Sequence, residues 1–183
     1  MQTQHTLKFI AKLVLSAVSL LMITQLYAEE TQSYVDGSKA FIAIKDINRQ
    51  AEAWATCAAA YDIMAEIFES QPTQSQQMKE LGNGAETAVT MSLVLDDIKK
   101  DITPEKFNAL WSFAKVAGQE IPKTRRTTML AEAESLGKKG ANAFVAKVFA
   151  TVKICVGNLE SQQAYIDSWR ELAKSGLLKL PEN

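Results

Sequence analysis

The stretch AFIAIKDINRQAEAWATCAAAYDIMAEIF, residues 40–68, decides the fold. Its apolar positions Ala40, Ile44, Ile47, Ala51, Trp54, Ala58, Tyr61, Ala65 and Phe68 recur at alternating steps of four and three. Such steps return a side chain to the same face of an α-helix, and neither Pro nor Gly interrupts them. The spacing predicts one long helix from Ser38 to Glu69, stopped by Ser70-Gln71-Pro72 because Pro cannot continue the hydrogen-bond ladder. Cys57 lies beside the stripe, among Ala58, Ala59 and Ala60. The only other cysteine, Cys155, lies in a second long run of helical spacing near the C-terminus, next to Val156-Gly157. Small neighbours on both sides let two helix axes approach closely enough for a disulfide, so the two cysteines are expected to join the first and last helices.

The segments between these two runs read as further helices. Thr73 and Gln76 form a capping-box pattern that opens a helix to Lys100, with Met78, Leu81, Ala85, Ala88, Ser92 and Leu95 along one face. Gly82 and Gly84 fall inside it, and continuity is expected because its partners are equally long. Thr103-Pro104 is a helix start with Pro at the first position, where its missing N–H is not needed. That third rod runs to Lys139 through Phe107, Leu110, Trp111 and Ala114, and Pro122 predicts a kink in it. The last rod, Ala141 to Ser175, carries Phe144, Val148, Thr151, Cys155, Leu159, Gln162, Ile166, Trp169 and Ala173, and Gly176 ends it. No alternating run bounded by hairpin turns suggests a strand. The expected fold is all-α: an antiparallel up-down four-helix bundle, its first and last helices joined by the disulfide. In that register Trp54 lies opposite Asn158 or Leu159, Tyr61 opposite Thr151 or Val152, and Ile47 opposite Tyr165 or Ile166.

Residues 1–28 read as a cleaved secretory signal: Lys8 and Lys12, an apolar core from Leu13 to Ile23, and an exit at Ala28 followed by two glutamates. The apolar core is shorter than the roughly 18 residues of a membrane-spanning helix, which disfavours an uncleaved anchor. Residues 29–37 read as a flexible lead, 38–176 as the helical domain and 177–183 as a short tail. Membrane contact is expected only through the signal, and the destination is the periplasm or the medium, where a cysteine pair oxidises.

Composition narrows the chemistry. Removing two lysines with the signal takes the formal charge from −1 to −3, which lacks the basic surplus of a nucleic-acid binder. The single histidine is His5, inside the signal. Triad catalysis, His-bearing zinc sites and C-x-x-C-H haem attachment therefore have no residues to work with, and no cofactor is expected. A redox role for Cys57 and Cys155 fits poorly with two mid-helix positions far apart in sequence.

Three constellations remain as candidate sites. Trp54, Tyr61, Trp111 and Trp169, with room left by Gly82 and Gly84, could line an interhelical pocket; their plainer role is core packing. Lys123, Arg125 and Arg126 stand at a helix start, where positive charge opposes the dipole, and could form an anion patch. The i, i+4 carboxylate pairs Asp62–Glu66 and Asp97–Asp101 share helix faces, which suits a cation or acid–base pair but equally a solvated surface. The expected function is that of an exported, non-catalytic helical module that binds a protein partner or serves the cell envelope structurally. The alternative is a binder of a small apolar ligand or lipid, with a carboxylate-based enzyme third. The exported protein should begin at Glu29. An intact-mass measurement reads this directly, and a chain retaining residues 1–28 after export would put the anchor reading in its place.

Overall fold

The computed structural model describes residues 32–98 and 102–176. The expected signal, the start of the lead, Asp101 and the tail lie outside these residues, as does the side chain of Asp97. Among the described residues there are four α-helices and no strand: α1 (Ile47–Ile67), α2 (Pro72–Ile98), α3 (Pro104–Val156) and α4 (Leu159–Lys174). Gly137, at φ 58° and ψ −164°, divides α3 into two arms, 104–136 and 138–156. That backbone conformation is open only to glycine. The arms fold back on each other, because Lys147 Nζ lies 3.0 Å from a carboxylate oxygen of Glu132, and a straight helix would hold those residues more than 20 Å apart. Gly140 completes the reversal, since a Cβ there would meet the Leu136 side chain at 2.3 Å. The architecture is an antiparallel up-down four-helix bundle: α1, α2, the first arm of α3, and a last rod made of its second arm with α4.

α1 is the centre of the bundle. Apart from Glu52 and Asp62, every residue from Gln50 to Ala65 is buried, on all faces of the helix and not on one stripe alone. Helix α2 and α3 both pack on α1, and α2 in turn carries α4. A helix enclosed on several sides needs small residues where its neighbours come closest, and the Ala58-Ala59-Ala60 run supplies them. At this height Cys57 and Cys155 are bonded, with Cα atoms 5.7 Å apart and both side chains fully buried. Ala60, Ile63, Met64 and Ile67 of α1 share one apolar cluster with Met129, Ala133, Phe144 and Val148 of the two α3 arms.

Several boundaries differ from the periodicity. The first helix starts at Ile47 and not at Ser38, because Asp46 takes the N-cap and accepts from the amides of Asn48 at 3.0 Å and Arg49 at 3.2 Å. Ala40 and Ile44 therefore flank a short 3-10 turn, Phe41–Ala43, outside the helix. Gln50 holds that turn, its Nε2 donating to the carbonyl of Phe41 at 2.8 Å and of Ile44 at 3.3 Å. Helix α2 opens at Pro72, ahead of the expected Thr73 cap, and Gln76 donates to Glu80 at 3.0 Å instead of closing a capping box. It runs through Gly82 and Gly84 unbroken. Pro122 is buried within the first arm of α3, and the non-helical dihedrals of that helix fall at Gly137.

The largest departure is in the last rod, which turns by 60° between Val156 and Leu159. Gly157 and Asn158 form the turn, and the Asn158 side chain ties it down: Oδ1 accepts from the Phe41 amide at 2.8 Å, and Nδ2 donates to the Ile154 carbonyl at 3.0 Å. A single straight register from the disulfide therefore ends at the bend. Trp54 meets the Tyr165 ring edge-on at a centroid distance of 6.0 Å, and Gln50 accepts from the Tyr165 hydroxyl at 2.7 Å. Part of the expected lead is also docked, with the Tyr34 amide donating to Thr151 Oγ1 at 2.9 Å and Val35 buried.

The cross-link closes a loop of 98 residues, worth ~4–5 kcal/mol in the chain-entropy picture. A Cys57→Ala, Cys155→Ala double variant should lose about 2–5 kcal/mol in urea unfolding while keeping its far-ultraviolet helical signal. An unchanged midpoint would show that apolar packing alone sets the stability of the central helix.

Candidate functional site

An open groove of about 520 Å³ runs along the outer face where α2 meets α4. Met78 and Leu81 from α2 and Leu159 and Ile166 from α4 supply its apolar surface, and Gln77, Glu80, Gln162 and Gln163 supply its polar edges. The bend at Gly157 creates this junction by carrying α4 off the line of the second α3 arm and onto α2. Gly84 then lets the two helices close: a Cβ there would stand 2.1 Å from Gln162 Nε2 and 3.5 Å from Ile166 Cδ1. The Gln162 amide occupies that space, its Nε2 3.4 Å from the Leu81 carbonyl oxygen. Gln162 is 4% exposed, and its Oε1 accepts no hydrogen bond among the described residues. No basic residue lines the groove.

Of the six residues expected to surround an interhelical pocket, Trp54 and Tyr61 are fully buried, Gly82 and Gly84 lie in helix contacts, and Trp111 and Trp169 are half-buried. Trp54 is fully buried between Phe41, whose ring meets it edge-on at 4.9 Å, and Tyr165. Tyr61 is also fully buried, and burial pushes its hydroxyl up to about 12. Gly82 is filled from α1: a Cβ there would lie 3.6 Å from Tyr61 Cβ and 3.8 Å from the Ala58 carbonyl oxygen. Trp111 and Trp169 are half-buried and pack both against the cluster that holds Trp54 and Tyr61 and against Val94 and Phe107, where the Phe107 ring stacks on Trp111 at 6.3 Å.

The cations of the expected anion patch each face a carboxylate. Arg125 pairs with Glu52 of α1 at 3.0 Å, Arg126 with Glu66 of α1, and Lys123 with Glu120 one turn earlier at 3.4 Å. They do not stand at a helix start, since the first α3 arm is helical from Pro104 through them, and Arg125 and Arg126 tie that arm across to the central helix.

Of the carboxylates, Asp62 stands apart. Its Oδ1 lies 3.4 Å from where a Gly82 Cβ would be, in the contact between α1 and α2. Burial raises its pKa, Arg126 opposes that rise, the charge of Glu66 adds to it, and Lys79 opposes it. Glu86 of α2 is raised by burial and by Asp62. The charge of Asp62 thus disfavours that of Glu86. Among the described residues no group of three or more Cys, His, Asp or Glu side chains is placed to hold a metal ion.

Sequence reading did not single out the groove. Its one legible trace was Gln162, a polar residue on a mostly apolar stripe, whose neighbour Leu81 is 81 residues away. No protein-family model, curated protein or solved structure matches this chain.

The acid pair generates a pH test. A carboxyl raised in the folded state takes up a proton on folding, so stability is lower above the folded pKa and recovers as pH falls through it toward the ordinary carboxylate range. Asp62→Asn should raise the thermal midpoint at pH 7, and the gain should shrink as the pH is lowered toward about 4. A loss of stability at pH 7 would mean that attraction to Arg126 outweighs burial.

Proposed function

We propose that this protein is an exported, non-catalytic helical module of the cell envelope or medium that acts by binding a protein partner. The observation that carries the reading is a contrast in packing. The core beside Gly82 and Gly84 is filled by Tyr61, Ala58 and the Gln162 amide, whereas the outer α2–α4 face carries an open groove of about 520 Å³. Close packing beside Gly82 and Gly84 with an open outer groove suits recognition of a surface brought to it. The buried Cys57–Cys155 bond is the kind that persists in a non-reducing compartment, which accords with the signal-like residues 1–28. With its one histidine in that segment, the rest of the chain lacks the commonest general base.

The second reading, a binder of a small apolar ligand, draws support from the groove's volume, which falls within the roughly 300–1,000 Å³ of small-molecule pockets. Its openness favours the first reading, since such ligands are usually enclosed over most of their surface. Native mass spectrometry on protein taken from its own exporting cell separates them. The expected result is a stoichiometric complex with a second polypeptide. A retained small molecule in its place would favour the ligand reading, and a bare chain under conditions that preserve known complexes would count against both.

A further inference from the structure

We infer that the α2–α4 groove receives a basic amphipathic segment of the partner, with an apolar side chain seated between Leu81 and Ile166 and a lysine or arginine at Glu80. This rests on the reading of the protein as a partner-binding module and adds the chemistry of what it recognises. Three observations point the same way.

The first is shape. The apolar residues come from two helices, with Met78 and Leu81 three apart on α2, so they form a strip that an amphipathic helix can cover with residues one turn apart.

The second is charge. Glu80 is the only ionisable residue lining the groove. It is exposed, its carboxylate accepts from the neutral amide of Gln76 at 3.0 Å, and it has no cationic partner among the described residues. Arg125, Arg126 and Lys123 are engaged elsewhere. An acidic segment would bring like charge against Glu80, and a basic one brings the missing counter-charge.

The third is the Gln162 amide. The residue lines the groove and is 4% exposed, and its Oε1 accepts nothing. An amide oxygen left unpaired in this way is uncommon. The terminal torsion of glutamine is soft, so the oxygen can turn toward the groove when an N–H donor arrives. Lysine and arginine carry such donors and accept none, so they satisfy both Glu80 and Gln162. A purely apolar ligand would leave both unanswered.

The test uses the full, disulfide-bonded exported chain and a synthetic amphipathic helix of about four turns, with leucine on one face and lysine on the other. A control peptide replaces every lysine with glutamate. At physiological ionic strength, where distant surface attraction is screened, the lysine peptide should shift the methyl resonances of Met78, Leu81, Leu159 and Ile166 saturably. The glutamate peptide should bind at least about tenfold more weakly. Glu80→Lys, an exposed position that leaves the core untouched, should reverse this preference, and Gln162→Leu should weaken the lysine peptide severalfold. Equal binding of both peptides, shifts centred on other methyls, or an unchanged preference in Glu80→Lys would overturn the inference. The two readings fail separately. A partner found by native mass spectrometry that binds wild type and Glu80→Lys alike leaves the module standing and removes the groove as its site. A small molecule found in place of a partner removes the module itself.

Discussion

Enclosure of α1 on all sides is the constraint from which the other features follow. A helix with one buried stripe can carry bulk on that stripe and polar groups elsewhere, but a helix packed by α2 and both arms of α3 has almost no free face. Its neighbours can come close only where its side chains are small, and Ala58, Ala59 and Ala60 provide that place. The same closeness brings Cys57 and Cys155 to a Cα separation of 5.7 Å, within bonding range. Gly82 faces this place from α2, where a Cβ would be in ordinary contact with Tyr61 and the Ala58 carbonyl oxygen at 3.6 and 3.8 Å. The covalent bond and the small-residue contacts are thus two expressions of one packing requirement.

Around this centre, the polar residues that are buried act as ties between elements that helical periodicity cannot connect. Gln50 holds the turn ahead of α1 through two backbone carbonyls and accepts from Tyr165 of α4. Asn158 joins the Phe41 amide to the end of α3, and Thr151 receives the Tyr34 amide. Ser75 reaches back from α2 to the Ala65 carbonyl at 2.8 Å. Each places a hydrogen bond where a buried backbone group would otherwise lack one, which is why polar residues sit on faces that the apolar count alone would assign to the core. Trp54 Nε1, the Tyr61 hydroxyl and the Gln162 amide oxygen depart from this pattern by having no partner among the described residues, and of these only Gln162 lines the groove.

The charged groups divide in a similar way. Arg125 and Arg126, which as a sequence motif suggested an anion site, serve as links from α3 to the central helix, and their half-exposed positions make each worth little individually. Burial raises both Asp62 and Glu86, and the charge of Asp62 adds to the rise at Glu86, which ties stability to acidity. Glu80 remains outside both groups, exposed and beside an apolar strip.

Much of this was legible in the residues themselves. The four-and-three stripe from Ile47 to Ala65, the start at Thr103-Pro104, the end at Gly176 and the pairing of two cysteines are local patterns or the only pairing available, and the sequence by itself determined an all-helical, cross-linked bundle, although its spacing carries the third rod to Lys139, past the break at Gly137. It could not determine where stripes stop acting as helices. Ala40 and Ile44 continue the α1 period, yet Asp46 caps the helix after them; Leu159 and Ile166 continue the stripe of the last rod, yet the chain bends at Gly157. Periodicity records which side chains are apolar, whereas a helix end is set by which backbone groups find partners, and those partners, such as Asn158 for Phe41, are distant in the chain. The groove belongs wholly to the tertiary structure, because its surface joins residues 77–81 to residues 159–166 and exists only once that bend lays α4 on α2. No pattern within either segment specifies the other, since the contact depends on a missing side chain at Gly84 and on the direction the chain takes after the disulfide.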